Sequence, residues 1–310
     1  MPYLRPSPTL ASVLKTGSSS FLARCAGYVA LTKPRIIELL LVSTVPTMVV
    51  AKGGMPSIWL IVATVIGGTL SAGGANAINM YVDRDIDAIM TRTQNRPLVT
   101  GIITPRNAII FAVTIEVIAF FWLWYFVNLL SAVLAVAACL FYVFVYTLWL
   151  KRTSKRNVEI GGAAGAVPVL IGWTSITNGL EWAPVVLFLV VFFWTPPHTW
   201  ALATKYKEDY SSVHVPMLPA VASMEYTAVM SIVYSLAMWA ASLLFWPLAD
   251  MGLLYGVAAI VLGAIFTWYS WILYREKTPK AAMRLFGWSI TYLTLLFVVM
   301  AVDQFIDIRL

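Results

Sequence analysis

The chain has 310 residues, 60% of them hydrophobic and 11% charged, with a mean hydropathy of +0.82 and a formal charge of +7. Such a composition excludes an ordinary soluble domain. The positive charge raises nucleic acid as a partner, but its placement along the chain argues for a membrane surface instead.

Met1–Ser20 is polar and Ser-rich and lacks the continuous apolar core of a cleavable signal peptide. Residues 1–30 are expected to form a disordered cytoplasmic tail, and residues 31–310 a single membrane domain. A membrane helix needs about 20 apolar residues. Nine runs approach or meet this: Ile36–Ala51, Ile58–Tyr81, Ala108–Phe126, Leu129–Leu150, Ile160–Ile176, Ala183–Ala203, Ala228–Leu248, Leu253–Tyr274 and Leu285–Val302. The expected fold is an all-α integral membrane bundle of nine transmembrane helices. With nine spans, 19 of the 21 Lys and Arg fall in the N-terminal tail and in the loops after spans two, four, six and eight; Lys52 and Arg309 are the exceptions. The positive-inside rule then places the N-terminus and those loops in the cytoplasm. Cys25 and Cys139 have neither metal nor redox spacing.

Leu31-Thr32-Lys33-Pro34-Arg35 is a basic, Pro-marked entry to the first span, where Lys and Arg are expected to snorkel to the headgroups. Gly and Ala from Gly67 to Ala75 suit close helix packing in lipid. That span ends in Asn79-Met80-Tyr81-Val82-Asp83-Arg84-Asp85-Ile86-Asp87. Asn79, Asp83 and Asp87 recur every four residues and so share a helix face, whereas Asp85 points about 200° away from Asp83. Oxygen ligands without Cys or His suit Mg²⁺, which meets proteins through one or two carboxylates plus substrate phosphates. The face reads either as a dock for a diphosphate carried on Mg²⁺ or as a solvated helix end paired with Arg84, Arg92 and Arg96.

Arg92 and Arg96 in the following loop suit bidentate capture of a phosphate, or a charge-balanced surface. Glu116 lies mid-span, where an acid is costly. Tyr142 and Tyr146 share a face above Lys151 and Arg152, as an aromatic belt or as a wall that stabilises a cation. Gly161-Gly162-Ala163-Ala164-Gly165 has no preceding strand and reads as helix packing. Trp194-Thr195-Pro196-Pro197-His198 is expected to break the sixth span, leaving freed carbonyls and an open volume beside His198. Lys205 and Asp209 follow at i, i+4 on the cytoplasmic side.

The Asn79/Asp83/Asp87 motif resembles the first Asp-rich motif of the UbiA-type membrane prenyltransferases. Leu31–Arg35, Asn95-Arg96-Pro97-Leu98, Tyr146-Thr147 with Lys151-Arg152, Pro168-x₃-Gly172-Trp173, the Trp194–Ala203 run, Asp209-Tyr210 and Val215–Pro219 are similar to the haem O synthase branch of that family. The family's second motif usually carries paired aspartates; here Asp209 stands with Glu208 beside it and Lys205 four residues back. The resemblance implies a bacterial plasma-membrane prenyltransferase that transfers farnesyl from farnesyl diphosphate to a vinyl group of haem b. It implies Mg²⁺ on Asp83, Asp87 and Asn79, and Lys205 and Asp209 as further catalytic groups. Arg92, Arg96, Lys151 and Arg152 are implied at the diphosphate, and His198, Trp194 and Tyr146 at the haem. A downstream enzyme that modifies haem O is the implied partner protein, alongside the lipid bilayer. A quinone-precursor prenyltransferase and a secondary transporter are the competing readings; transporters place their sites near the bilayer midplane.

Overall fold

The computed structural model describes residues 21–306, apart from the side chains of residues 35–41. The tail residues Met1–Ser20, the last four residues with Arg309, and the side chains of Arg35 and Glu38 lie outside the described residues.

Among the described residues every regular element is helical. In chain order these are α1 (Phe21–Thr32), α2 (Pro34–Lys52), α3 (Ile58–Val82), α4 (Arg84–Asp87), α5 (Pro105–Phe126), α6 (Leu129–Thr153), α7 (Asn157–Thr177), α8 (Trp182–Lys205), α9 (Lys207–Ser212), α10 (Leu218–Val221), α11 (Met224–Leu248), α12 (Leu253–Glu276) and α13 (Pro279–Asp303). Eight of them, α3, α5, α6, α7, α8, α11, α12 and α13, are long and apolar enough to cross a membrane. The first expected span is the shorter α2, of 19 residues, which packs against α7 and α13. The chain is an integral membrane helix bundle.

The helix starts follow from local sequence. Ser57, Thr104, Asn128, Ser223 and Thr278 each accept a hydrogen bond from the backbone N–H three residues on. Such caps satisfy donors that have no partner within the helix. Pro34, Pro105 and Pro279 sit in the first turn, where a missing N–H costs nothing. The start of α12 has no cap of its own; the buried Asp303 carboxylate at the end of α13 accepts from Gly252 N at 2.6 Å and Tyr255 N at 3.0 Å.

Two expectations fail here. Residues 21–30 are not part of a disordered tail but lie in α1, which docks on α3 and α5. Leu31 is fully buried, the Tyr28 and Phe111 rings meet at 4.9 Å, and Gly27 leaves room for Ile102 and Ile103. The Pro196-Pro197 pair does not break its span: α8 runs uninterrupted from Trp182 to Lys205. Both proline rings are buried, and neighbouring helices hold the segment in place where a lone helix would kink.

The two halves of the bundle differ in packing. Around α8, α11, α12 and α13 a continuous core is filled by Leu187, Trp194, Phe245, Phe266, Tyr292 and Phe297. Around α3, α6 and α7 the core splits into smaller clusters that surround cavities. The candidate functional site lies in this looser half.

The loops at either end of α7 should lie on opposite sides of the membrane. A reporter fused after Lys155 is expected in the cytoplasm and one after Gly179 outside; the same location for both would remove a span.

Candidate active site

The site is built where α3 runs out. Val82 is the last residue of the helix, and Asp83 turns at φ −83°, ψ 2° before the short α4. The four-residue register survives the turn, because Asp83 N bonds Asn79 O at 2.9 Å and Asp87 N bonds Asp83 O at 2.8 Å. Asn79, Asp83 and Asp87 therefore stay on one side, all buried. Asp85 points the other way and is exposed; the Arg152 guanidinium grips it through two 2.7 Å hydrogen bonds and holds its carboxyl down to about 2. The solvated-helix-end reading fails on the burial of Asp83 and Asp87.

Buried carboxylates need counter-charge. Asp83 pairs with Lys151 and accepts a 2.8 Å bond from Asn79 Nδ2; Asp87 pairs with Arg96. Arg152 Nη2 lies 3.7 Å from Asp83 Oδ1, an oxygen that is buried without a hydrogen-bond partner. Lys33 Nζ donates to Asn79 Oδ1 at 2.8 Å. Lys33 was expected to snorkel, yet it points into the site. It sits in the left-handed region at φ 53°, at the corner between α1 and α2. The following proline disfavours the α conformation there and ends α1. Burial first, then the charges of Arg96 and Lys151, push the Lys33 ammonium down to about 7. An arriving anion would raise it again.

A polar cavity of about 140 Å³ opens beside them, with Lys33, Asn79, Asp87, Arg92, Arg96, Tyr142, Tyr146, Lys151 and Tyr210 on its walls and Asp83 behind Lys151. One stretch of α6 makes this possible. Tyr142 and Lys151 are nine positions apart, about two and a half α-helical turns, and would face opposite ways. The segment Phe141–Leu150 is instead a π-helix, in which each N–H reaches the fifth carbonyl back. The Thr147 hydroxyl also donates to Tyr142 O at 2.8 Å and accepts from Asn79 Nδ2 at 3.2 Å. The wider turn brings Tyr142, Tyr146 and Lys151 to one cavity. Tyr142 and Tyr146 stack with ring centres 5.3 Å apart. Gly161 on α7 makes room for them, since a Cβ there would lie 2.3 Å from the Tyr146 ring.

Below Tyr142 a second cavity of about 180 Å³ descends between α2, α3, α6 and α7. Its walls are small and mostly apolar: Gly68, Ala72, Ala75, Ala135, Ala138, Ala164 and Gly165, with Ile171 and Val167 deeper. Tyr142 lines both cavities. Glu116 stands behind this wall, its carboxyl hydrogen-bonded to Ser71 Oγ at 2.8 Å across the α3–α5 contact.

Other expected site residues are placed elsewhere. Asp209 accepts from Thr91 N and Arg92 N, both at 3.1 Å, and so pins the loop that carries Arg92 and Arg96. Lys205 is exposed and lies over the Tyr206 ring. Helix α8 ends at Lys205 and α9 begins at Lys207, so Lys205 and Asp209 do not stand on one continuous helix. Trp194 and His198 line neither cavity. His198 is stacked between Trp194, at 4.2 Å, and Phe286 of α13, at 4.8 Å, with Nδ1 2.7 Å from Ser289 Oγ. The open volume expected beside it is filled by these rings. Among the described residues no three His, Cys, Asp or Glu side chains converge on one point. The oxygens on hand are those of Asp83, Asp87 and Asn79.

Residues 40–298 match the model of the UbiA prenyltransferase family. The chain belongs to the UbiA prenyltransferase family. It is 54% identical over 279 residues to the protoheme IX farnesyltransferase of Clavibacter sepedonicus, covering 89% of this chain and 91% of that one. With the protoheme IX farnesyltransferase of Streptomyces coelicolor it shares 48% identity over 97% of this chain and 98% of the other. In fold it is similar to a structure described as digeranylgeranylglyceryl phosphate synthase, at a TM-score of 0.72 and 16% identity, covering 91% of this chain and 98% of that one. It is also similar to a UbiA homologue from Archaeoglobus fulgidus bound to DMAPP and Mg²⁺, at a TM-score of 0.59 and 15% identity over 87% and 99% of the two chains.

The geometry separates the three aspartates. Asp83→Asn and Asp87→Asn should lower turnover by about 10²-fold or more, the scale of losing a preorganised charge contact. Asp85→Asn, whose side chain faces away from the cavity, should lose less than about tenfold; equal losses at all three positions would contradict the buried-face assignment. His198→Ala should cost about 1–3 kcal/mol of stability, measured by thermal unfolding in detergent, as for a packed ring. Undiminished stability with loss of haem binding would show that His198 contacts haem.

Proposed function

We propose that the protein transfers the farnesyl group of farnesyl diphosphate to a vinyl group of haem b, with addition of water, to give haem O. The observation that carries the reading is the meeting of two unlike cavities at Tyr142, which lines both a cation-rich polar pocket and an apolar one. A prenyl diphosphate has this division, with a polyanionic head and a hydrocarbon tail. The high identity to protoheme IX farnesyltransferases over most of the chain supports haem b as the acceptor.

Lys33, Arg92, Arg96 and Lys151 are positioned to take the diphosphate oxygens, and Arg can do so bidentately. Their charge stabilises the leaving diphosphate as the C–O bond of the allylic carbon ionises. Tyr142, which lines both cavities, stacks on Tyr146 of the polar pocket, and their π faces favour an allylic cation there. The apolar walls keep water from capturing that cation early. The vinyl π electrons form the new C–C bond, and water captures the resulting cation at the macrocycle edge and releases a proton. Tyr146 is the residue expected at haem that lies in the cavity.

Magnesium fits this site as a diphosphate complex. Asp83 Oδ1 is a buried oxygen lacking a hydrogen-bond partner, and the donor set is oxygen only. Asp83 and Asp87, with Asn79, would hold it, and it would supply further charge neutralisation at the diphosphate. The cytoplasmic side is the natural source of both substrates for a site placed among the basic loops of a bacterial plasma-membrane protein. In this reading Asp209 acts through the loop it pins, Arg152 through Asp83 and Asp85, and Lys205 stays outside the pocket.

Membranes containing the protein, given haem b, farnesyl diphosphate and Mg²⁺, should yield a product heavier than haem b by one farnesyl group and one hydroxyl group. Unchanged haem, with prenylation of a quinone precursor in its place, would assign the competing prenyltransferase activity.

A further inference from the structure

The helical glycines of this protein fall into two groups. At Gly27, Gly67, Gly73, Gly74, Gly161, Gly162, Gly172, Gly256 and Gly263 a Cβ would strike or crowd a neighbouring segment, so close packing accounts for them. At Gly68, Gly165 and Gly287 a Cβ would meet nothing within 4 Å; Gly287 lies on the exposed face of α13, whereas Gly68 and Gly165 line the apolar cavity, from α3 and α7 respectively. A glycine inside a helix weakens it. Helix packing offers no return for that cost at these two positions, whereas an occupant of the cavity does.

Resting on the prenyl-diphosphate reading above, we propose that Gly68 and Gly165 are specificity-determining residues that leave room for the third isoprene unit. The dimensions agree. Along α3 Gly68 lies about 12 Å from Asn76, the last α3 residue on the wall of the apolar cavity, and along α7 Gly165 lies about 12 Å from Asn157, at 1.5 Å per residue. An extended farnesyl chain reaches about 14 Å from its first carbon and a geranyl chain about 9 Å, from ordinary carbon–carbon geometry. The terminal unit of farnesyl therefore reaches the two glycines, and geranyl stops short of them. Gly165 is exposed, so the gap opens sideways at the depth of the apolar helices. A long hydrocarbon tail can enter there without crossing the charged pocket.

The test uses Gly68→Leu and Gly165→Leu in the full chain, given haem b with equal concentrations of farnesyl and geranyl diphosphate, and the two products are separated by mass. Leucine favours helix over glycine, so neither change opposes α3 or α7. The ratio of farnesyl to geranyl product should fall at least about tenfold in each variant. An unchanged ratio in the variants, with normal farnesyl transfer by the unmodified protein, would overturn the assignment and leave the reaction standing. If one variant does not accumulate in membranes, the ratio in the other decides. Absence of any prenyl transfer by the unmodified protein would overturn the underlying reading itself.

Discussion

Two carboxylates, Asp83 and Asp87, are buried at the edge of a membrane bundle, and the rest of the site follows from that burial. A lone charge there costs several kcal/mol. The chain answers with four cations from three separate segments: Lys33 at the α1–α2 corner, Arg96 in the loop after α4, and Lys151 and Arg152 at the end of α6. Cations outnumber acids around the polar cavity, since Lys33, Arg92, Arg96 and Lys151 face Asp83 and Asp87. The site is thus an anion receptor in which the acids are already neutralised. A divalent cation arriving alone must displace Lys151 or Arg96, whereas one arriving on a diphosphate brings the anion that these side chains can turn to.

The same requirement shapes the backbone. Lys151 reaches Asp83 from the same side as Tyr142 only because α6 widens into a π-helix before it. The short turn at Asp83 keeps Asn79 and Asp87 in register. Asp209 holds the Arg92–Arg96 loop by its backbone, so that loop is fixed before any ligand binds. The apolar cavity needs no such network. It needs small residues and a side chain between the water and the tail, and Tyr142, on the walls of both cavities, takes that place.

Much of this was legible in the chain. Apolar run lengths placed the spans, because hydrocarbon thickness leaves little choice. The four-residue spacing separated Asp83 and Asp87 from Asp85, as their opposite exposures show. Three features escaped a sequence reading for physical reasons. The π-helix has no composition of its own, and a periodicity argument assumes 3.6 residues per turn. Lys33 looked like a snorkelling lysine until α1 folded back over α3 and closed the corner around it. His198 and the two prolines were read as a broken, open helix, but α13 supplies Phe286 and Ser289 to fill that space. Each of these depends on a partner distant in sequence, which local pattern does not carry.

The account is tested most directly by calorimetric titration of the detergent-solubilised protein with an unreactive farnesyl diphosphate analogue, with and without Mg²⁺, in the unmodified chain and in Asp83→Asn. Mg²⁺ alone should bind weakly. The analogue should bind without metal and more tightly with it. Asp83→Asn should abolish the metal-dependent gain while keeping metal-free binding, because the cations that hold the anion remain. Tight binding of Mg²⁺ alone, or a metal-dependent gain that survives Asp83→Asn, would contradict the account.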